Sequence, residues 1–347
     1  MKFGILGSGS WGTALAKILT DNGQTIWWWN RSEKAIQHMQ ARRHNPQYLR
    51  QAYFNTSLLH LTTDASAVIR NTDAIIMAVP SAYAVETLLQ LEPDVLHEKL
   101  IISAIKGILP EQNLLLNDFL KNEFAFPLEK YFAVLGPCHA EEVAAEKLSY
   151  LTFSGIDENL TAGIATCFKT PYINTISNND IYGVQYAAVL KNIYALGAGI
   201  AHGLDYGDNF LSVLIANSAD EMAGFLRSLG VQNIQVGTID HHTPLVSGSK
   251  LHTNYAASVY LGDLLVTCYS LYSRNRTFGN MIGKGYSVKA AQIEMSMVAE
   301  GYNASRCMYL INQQIGADMP IAETVYRILW ENLPAIEGFS KIEATLV

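Results

Sequence analysis

The sequence predicts an α/β protein in which a Rossmann-type, doubly wound parallel sheet is followed by a mostly α-helical domain. Short apolar runs alternate with helical stretches in the first half of the chain, and apolar residues recur at helical spacing in the second. At 347 residues the chain is longer than one hydrophobic core usually organises. We therefore expect a dinucleotide-binding domain over residues 1–180 and a helical substrate domain over residues 181–347.

The predicted strands are apolar runs, several of them apolar on both faces, as buried parallel strands are. In chain order they read KFGILG, QTIWWWN, DAIIMAVP, KLIISAIKG, YFAVLGP and LSYLTFSG. Between the first two, the spacing predicts a helix that ends at Gly23. Its apolar face is formed by Ala14, Leu15, Ile18 and Leu19. A strand, a helix and a second strand in this order predict a crossover unit with parallel strands.

The second half of the chain is predicted to be helical. In AAVLKNIYALGAGIA, apolar residues such as Ile193, Leu196 and Ile200 recur every three or four positions. The polar stretch 230–254 predicts a loop or a small excursion from this domain.

Composition excludes several classes of function. The net charge of −7 argues against a nucleic-acid surface, which needs a basic excess. The four cysteines contain no CxxC pair, so we expect no zinc site and no disulfide framework, as in a cytoplasmic protein. Nor does His241-His242 followed by His252 have the spacing of a metal site. We expect no membrane insertion, because no run of about 18 apolar residues occurs, and no signal peptide.

The opening GSGSWG has the spacing of a dinucleotide-binding turn. Gly7, Gly9 and Gly12 lie between a predicted strand and a predicted helix, where they allow a tight turn, space for a pyrophosphate and close packing. The helix presents free N–H groups to that anion. After the second strand, Asn30 and Arg31 stand where NAD-specific sites usually have an acidic residue, which favours NADP, or use of both NADP and NAD. The alternative interpretation of Arg31 is a solvated surface charge.

Two lysines are candidates for the chemistry. Lys106 ends an apolar strand, at the sheet edge where open parallel sheets bind ligands, although it could simply leave the sheet for solvent. Lys191 lies inside an apolar helix, where burial lowers the pKa of an ammonium group towards that of a proton donor for a reduced ketone. A buried salt bridge is the alternative, with Asp205, Asp208 or Asp263 as partner.

The SRNR stretch is a candidate phosphate site. It gathers Ser273, Arg274, Asn275 and Arg276, and arginine with hydroxyl and amide donors is what phosphate oxygens require. An exposed basic turn is the alternative.

Considered together, these stretches resemble a known family. GSGSWGTALA, AVPS, SAIKG, GPCHAEEVA, LKNIYALGAGI, GDN, LGDLLVTC and SRNRTFG, in this order and spacing, resemble the bacterial, soluble NAD(P)-dependent glycerol-3-phosphate dehydrogenases over roughly residues 1–310. The resemblance implies a cytoplasmic oxidoreductase that reversibly reduces dihydroxyacetone phosphate to sn-glycerol 3-phosphate for glycerophospholipid synthesis. We also expect a homodimer.

The resemblance implies a set of site residues. Lys191 becomes the proton donor or acceptor, with Asp263 beside it. The implied substrate contacts are Lys106, the backbone of Gly136, Cys138, Lys191, Asp263, Ser273, Arg274 and Asn275. The implied cofactor contacts, besides the three glycines of the opening turn, are Ser10, Trp11, Arg31, Lys106, Ala140, Arg274, Val298 and Glu300.

The chain departs from the family in three places. Cys138 and His139 stand where the family usually has Ser or Thr followed by Phe, which puts a side-chain contact there in question but not a backbone one. The segment between GDN and LGDLL is longer than usual. Val259 and Tyr260 replace small residues before Asp263, so Asp263 could be approached differently.

Two other functions are compatible with the sequence. A related hydroxy-acid dehydrogenase would share the two-domain plan and a helical lysine–asparagine site. A dinucleotide-sensing protein without catalysis would share the opening turn, but it would not need Lys191 and Asp263 in apolar surroundings.

Overall fold

A computed structural model describes residues 1–91, 93–231, 257–295 and 299–347. The predicted excursion at 230–254 lies almost wholly outside the described residues, as do His241, His242, His252 and Val298.

The sheet contains eight strands in the order β3-β2-β1-β4-β5-β6-β7-β8. Strands β1 to β6 are parallel, and their order is that of a doubly wound dinucleotide-binding sheet. In register, Ile5 of β1 lies between Trp28 of β2 and Ile76 of β4. The strands are β1 (Phe3–Leu6), β2 (Ile26–Trp29), β3 (Leu59–Thr62), β4 (Ala74–Met77), β5 (Leu100–Ser103), β6 (Tyr131–Leu135), β7 (Ser149–Ser154) and β8 (Ile173–Asn178).

The sheet differs from the prediction at both edges. Strands β3 and β8 were not predicted, because they are edge strands with mixed exposure and neither contains a continuous apolar run. Strand β7 pairs antiparallel with β6, and β8 is parallel to β7, so this end of the sheet is not part of the parallel set. An apolar run indicates burial and carries no information on strand direction.

The helix that follows β1 begins and ends as predicted. Its apolar face is fully buried. Gly23 has a φ of 86°, and the N–H of Gln24 donates to the carbonyl of Leu19 at 2.9 Å, which is a Schellman ending. The helices of this half are α1 (Ser10–Asp21), α2 (Glu33–Arg42), α3 (Ala65–Arg70), α4 (Ser81–Leu89), α5 (Leu116–Phe124), α6 (Ala140–Ala144) and α7 (Glu158–Thr166), with 3₁₀ turns at Thr56–Leu58, Pro93–Leu96 and Leu128–Lys130.

After β8 the described chain is helical, as predicted. Its central helix is α8, which is buried over most of its circumference. The elements are α8 (Ile181–Gly203), α9 (Asp208–Ser228), a π-helical segment (Ala257–Gly262), α10 (Asp263–Tyr269), α11 (Arg274–Gly283), α12 (Val288–Glu294), α13 (Glu300–Ile315), α14 (Pro320–Trp330) and α15 (Ala335–Glu343). Within the described ranges, none of these helices or the earlier ones has the length and apolarity to cross a bilayer.

Glycines bring α11 unusually close to α8. A Cβ on Gly279 would lie 2.1 Å from the carbonyl oxygen of Leu196, and one on Gly199 would lie 2.1 Å from that of Arg276. Only glycine permits such an approach of two backbones. The contact holds the beginning of α11 near the middle of α8, where Lys191 lies.

Strand β6 and the helical half share a hydrophobic cluster, while most of the sheet packs into two other clusters. Ala133 and Leu135 of β6 belong to the same buried cluster as Leu190 and Ile193 of α8. A buried hydrogen bond of 2.7 Å from the Tyr131 hydroxyl to Gln185 adds a polar link between β6 and α8. Strand β6 therefore packs along α8, and the Asn192 side chain of α8 donates to the carbonyl of Lys106, which follows β5.

Candidate active site

The turn between β1 and α1 has the geometry that a pyrophosphate requires. Gly7 has a φ of 124°, and a Cβ there would lie 2.5 Å from the carbonyl oxygen of Ala78. A Cβ on Gly12 would lie 2.2 Å from the carbonyl oxygen of Gly7, so α1 can approach the turn only with glycine at this position. By contrast, a Cβ on Gly9 would meet no atom within 4 Å. The open space at Gly9 fits a phosphate group against the backbone.

The first turn of α1 also fits an anion. No side chain caps this helix end and no acidic residue lies in its first turn, so the positive end of the helix dipole is not neutralised there. The Lys106 ammonium lies 4.8 Å from the centre of the Trp11 ring, which brings the end of β5 next to the turn. The buried indole Nε1 of Trp11 has no hydrogen-bond partner among the described residues.

The end of β2 carries a second unpaired polar group. Asn30 is buried, and its Nδ2 makes no hydrogen bond within the described parts of the chain. A buried amide donor without a partner is costly, so this group fits a ligand oxygen such as a ribose hydroxyl. Arg31, the next residue, is exposed. The residues present at β1, β2 and α1 thus fit a dinucleotide.

Lys191 and Asp263 form a buried ion pair between α8 and α10. Their side chains are only 3% and 2% exposed, which separates this pair from the surface ion pairs of the molecule. Burial lowers the pKa of the Lys191 ammonium, Asp263 partly opposes this effect, and the charge of Lys106 adds to it, so that the resulting pKa is about 8. Of the three acidic partners that the sequence leaves open, the structure selects Asp263.

A chain of amide hydrogen bonds begins at Asn192, the residue after Lys191. The Nδ2 of Asn192 donates to the Lys106 carbonyl at 2.9 Å, and its Oδ1 accepts from the Nδ2 of Asn275 at 2.9 Å. The Oδ1 of Asn275 in turn accepts from the N–H of Gly301 at 3.0 Å. These bonds connect β5, α8, α11 and α13. Asn192 is absent from the predicted site, although its signal, a polar pair inside an apolar helix, is visible in the sequence.

Glu300 connects the helical half to α4. Its Oε2 accepts from the Ser81 hydroxyl at 2.6 Å and its Oε1 from the Ser81 N–H at 3.1 Å. A Cβ on Gly107 would lie 2.8 Å from Oε2, so the strand end after Lys106 also packs against this carboxylate. Ser81 is a further residue that the sequence-based assignment omits.

The predicted phosphate cluster forms the beginning of α11. Ser273 is the buried N-cap residue, and its hydroxyl oxygen accepts from the N–H of Arg276 at 3.3 Å. Arg274 is exposed and Asn275 is buried. No acidic residue lies in the first turn of α11, so this end too fits an anion.

The turn after β6 contributes the remaining predicted residues. Gly136 has a φ of 135°, and a Cβ there would lie 2.7 Å from the carbonyl oxygen of Tyr150. Burial raises the pKa of the Cys138 thiol to about 12, so it stays protonated and is no nucleophile. Burial, with the charges of Lys106 and Lys191, lowers the pKa of His139 to about 4, so its imidazole is neutral.

Tyr260, one of the departures from the family, has a structural partner. Its hydroxyl donates to the carboxylate of Asp180, whose other oxygen caps α8 by accepting from the N–H of Gly183 at 2.8 Å. The segment leading to Asp263 is therefore fastened to the beginning of the helix that carries Lys191.

Comparison with known proteins decides the family. Residues 2–161 match the profile of the NAD-dependent glycerol-3-phosphate dehydrogenase N-terminus, and residues 180–340 match that of its C-terminus. Glycerol-3-phosphate dehydrogenase [NAD(P)+] of Bacillus subtilis (strain 168) is 34% identical over 330 residues, and that of Bacillus velezensis is 32% identical over 330. Each alignment covers 95% of this chain and 90% of the relative.

The chain belongs to the NAD-dependent glycerol-3-phosphate dehydrogenase family.

A solved member of this family has the same overall structure. The crystal structure of glycerol-3-phosphate dehydrogenase from Coxiella burnetii superposes with a TM-score of 0.84 at 27% identity, covering 98% of both chains. The resemblance that the sequence motifs indicate is therefore confirmed, and so is the fold class. In the present chain, hydrogen bonds through Asn192 connect Lys106 with Asn275, and Asp263 contacts the adjacent Lys191. Arg31 is exposed and follows β2.

Proposed function

We propose that the protein is an NAD(P)-dependent sn-glycerol-3-phosphate dehydrogenase, which reversibly reduces dihydroxyacetone phosphate and supplies glycerophospholipid synthesis in the cytoplasm. The observation that carries the proposal is the buried Lys191–Asp263 pair beside Lys106, in a chain of this family. The active site lies between residues 1–180 and 181–347, which we take as the two domains.

The geometry of the turn and the family support the proposed cofactor residues. Gly7, Gly9, Ser10, Trp11 and Gly12 would hold the pyrophosphate, and Arg31 would hold the adenosine end, where its charge favours NADP. When bound, the reduced nicotinamide supplies the hydride. The further proposed contacts are Lys106, Ala140, Arg274, Val298 and Glu300.

Lys191 is the proposed proton donor. As negative charge develops on the ketone oxygen, its ammonium donates a proton, and a pKa of about 8 allows both protonation states near neutral pH. Asp263 holds the ammonium in place and favours its charged form. In the reverse direction the neutral amine accepts the proton of the substrate hydroxyl. Lys106 adds a second positive charge near the developing oxyanion.

The substrate phosphate is proposed to bind at the beginning of α11. Ser273 and Asn275 supply hydroxyl and amide donors, Arg274 supplies charge, and the helix dipole has the right sign. Gly136 contributes its backbone at the turn after β6. Because the Cys138 thiol stays protonated, it can contribute at most a weak hydrogen bond.

The direct test replaces the proton donor without changing side-chain volume much. Lys191→Met should lower kcat for dihydroxyacetone phosphate reduction by about 10²–10⁴-fold, the range expected for loss of a general acid. Lys17→Met is the matched control, because Lys17 is also a buried lysine in an ion pair, with Asp21 and Glu146, but lies at the far end of α1. A Lys191→Met enzyme with kcat close to that of the wild type would refute the assignment.

Cofactor preference, substrate class and oligomeric state need separate measurements. Kinetics with NADH and NADPH in parallel test the preference that Arg31 suggests. A panel of 2-keto acids tests the hydroxy-acid alternative, and oxidation of neither cofactor with any ketone would favour a dinucleotide-sensing protein. The proposed homodimer predicts a mass in solution of twice the chain's 38.3 kDa.

A further inference from the structure

His139, which lies within reach of the charges of Lys106, Lys191 and Asp263, has an unused hydrogen-bonding nitrogen. The residue lies in the turn between β6 and α6, directly after Cys138. Its ring centre is 6.4 Å from that of Tyr272, which precedes the N-cap of α11. Nε2 is buried and has no hydrogen-bond partner among the residues described. A buried polar atom in this state fits a ligand group.

The surroundings of the ring define the chemistry of that ligand group. The charges of Lys106 and Lys191 act on His139 and, with burial, keep it neutral, while Asp263 and the backbone of Val266 oppose them only in part. A neutral imidazole nitrogen either donates or accepts one hydrogen bond, depending on the tautomer. A hydroxyl group can pair with it in both cases, because a hydroxyl both donates and accepts.

We propose that Nε2 of His139 hydrogen-bonds the free hydroxyl group of the ketone substrate, and that His139 thereby selects a hydroxylated ketone phosphate over one without the hydroxyl. The inference rests on the proposed function, which places the ketone oxygen at Lys191 and the phosphate at α11. The ketone oxygen, on which negative charge develops during reduction, then faces the Lys191 ammonium, and the phosphate faces the beginning of α11. The neutral hydroxyl is left for the neutral imidazole.

A phosphate ligand for His139 is less compatible with the site. A phosphate dianion pairs best with an imidazolium, and the two lysines and burial disfavour the charged ring. His139 is therefore a specificity-determining residue that transfers no proton.

The test compares two substrates that differ only in the hydroxyl. They are dihydroxyacetone phosphate and acetol phosphate, in which a methyl group replaces the hydroxymethyl group. The measured quantity is kcat/KM for dihydroxyacetone phosphate divided by kcat/KM for acetol phosphate. We expect His139→Phe to lower this ratio by at least about tenfold, because a site built to pair a hydroxyl discriminates strongly against its absence. His139→Gln, with an amide in place of the imidazole, should restore part of that ratio.

A matched control variant and two contrary outcomes make this test decisive. His38→Phe is the control, since His38 also has a buried, unpartnered Nε2 but lies on α2, and it should leave the ratio unchanged. An equal loss with both substrates, or no loss, would overturn the inference. Dihydroxyacetone, which lacks the phosphate, provides a second comparison. If His139→Phe lowered kcat/KM for dihydroxyacetone phosphate but not for dihydroxyacetone, and equally for both ketone phosphates, His139 would instead be assigned to phosphate binding. If His139→Phe does not fold, His139→Leu repeats the comparison. A wild type that reduces neither ketone phosphate refutes the proposed function itself.

Discussion

At the scale of single residues, the chemistry depends on how the charges of three side chains balance. Lys191, buried in α8, would lose its proton readily if burial acted alone, and Lys106 adds to that tendency. Asp263 acts in the opposite direction because its carboxylate contacts the ammonium. The result is a pKa of about 8, so a small change in either neighbour changes the fraction of enzyme that can donate a proton.

This balance predicts the pH dependence of the reaction. The rate of ketone reduction should fall as pH rises through about 8, because Lys191 then loses the proton that it donates. Asp263→Asn removes the carboxylate that raises the pKa, so the midpoint should move to lower pH. Lys106→Met removes the cation that lowers it, so the midpoint should move to higher pH.

Profiles of kcat/KM for dihydroxyacetone phosphate from about pH 6 to pH 10 measure these midpoints. The two variants serve as each other's control, because both lose a charge next to Lys191 but of opposite sign. Midpoints that move in the same direction would show that another group titrates.

At the scale of elements, features that depend on neighbouring residues could be predicted from the sequence, whereas features that depend on long-range contacts could not. The end of α1 is encoded in neighbouring residues, with Gly23 in the left-handed conformation, and it was predicted correctly. Strand β8 has few apolar residues and depends on pairing with β7, which no local pattern shows. The amide chain through Asn192 and Asn275 joins residues 83 positions apart. Such a contact exists only after α8 and α11 have packed together.

In the turn between β1 and α1, Gly9 and Gly12 are required for different physical reasons, so we expect their substitutions to have different effects. Gly9→Ala should leave the melting temperature unchanged, since the new Cβ meets no atom within 4 Å, but it should weaken NADPH binding by filling the space meant for the pyrophosphate. Gly12→Ala should instead destabilise the fold by about 1–3 kcal/mol, because its Cβ would overlap the Gly7 carbonyl.

Thermal unfolding and titration of NADPH fluorescence separate the two effects. Gly163→Ala on α7 is the control, as a Cβ there also meets no atom within 4 Å and the helix is outside the site. Equal loss of cofactor affinity in Gly163→Ala and Gly9→Ala would contradict this role of Gly9.

At the scale of the whole molecule, a second buried carboxylate affects stability. Glu221 of α9 accepts from the N–H groups of Ile321 and Ala322, at 2.8 and 2.9 Å, and from the Tyr194 hydroxyl at 3.2 Å. It therefore holds the beginning of α14 against α9 and α8. Burial outweighs these hydrogen bonds and raises its pKa to about 7, so the folded protein binds a proton there that the unfolded chain releases near its ordinary value of 4.5.

The sign of the resulting pH effect follows from proton linkage. A group whose pKa is higher in the folded state stabilises the fold below its unfolded pKa, and that contribution is lost as pH rises through the folded pKa. Glu221 should therefore contribute up to about 3 kcal/mol to the free energy of unfolding at pH 4.5, and the contribution should disappear by about pH 7.5. Glu221→Gln, which does not titrate, lacks this dependence.

Urea unfolding of both proteins at several pH values measures the difference in their free energies of unfolding. The difference should shrink by up to about 3 kcal/mol between pH 4.5 and pH 7.5, whereas contributions from other groups, including the opposite one from His139, cancel because both proteins share them. A difference that stays constant with pH would mean that Glu221 ionises in the folded protein as it does in the unfolded chain. In that case the N–H groups of α14 and the Tyr194 hydroxyl would stabilise the carboxylate enough to offset its burial.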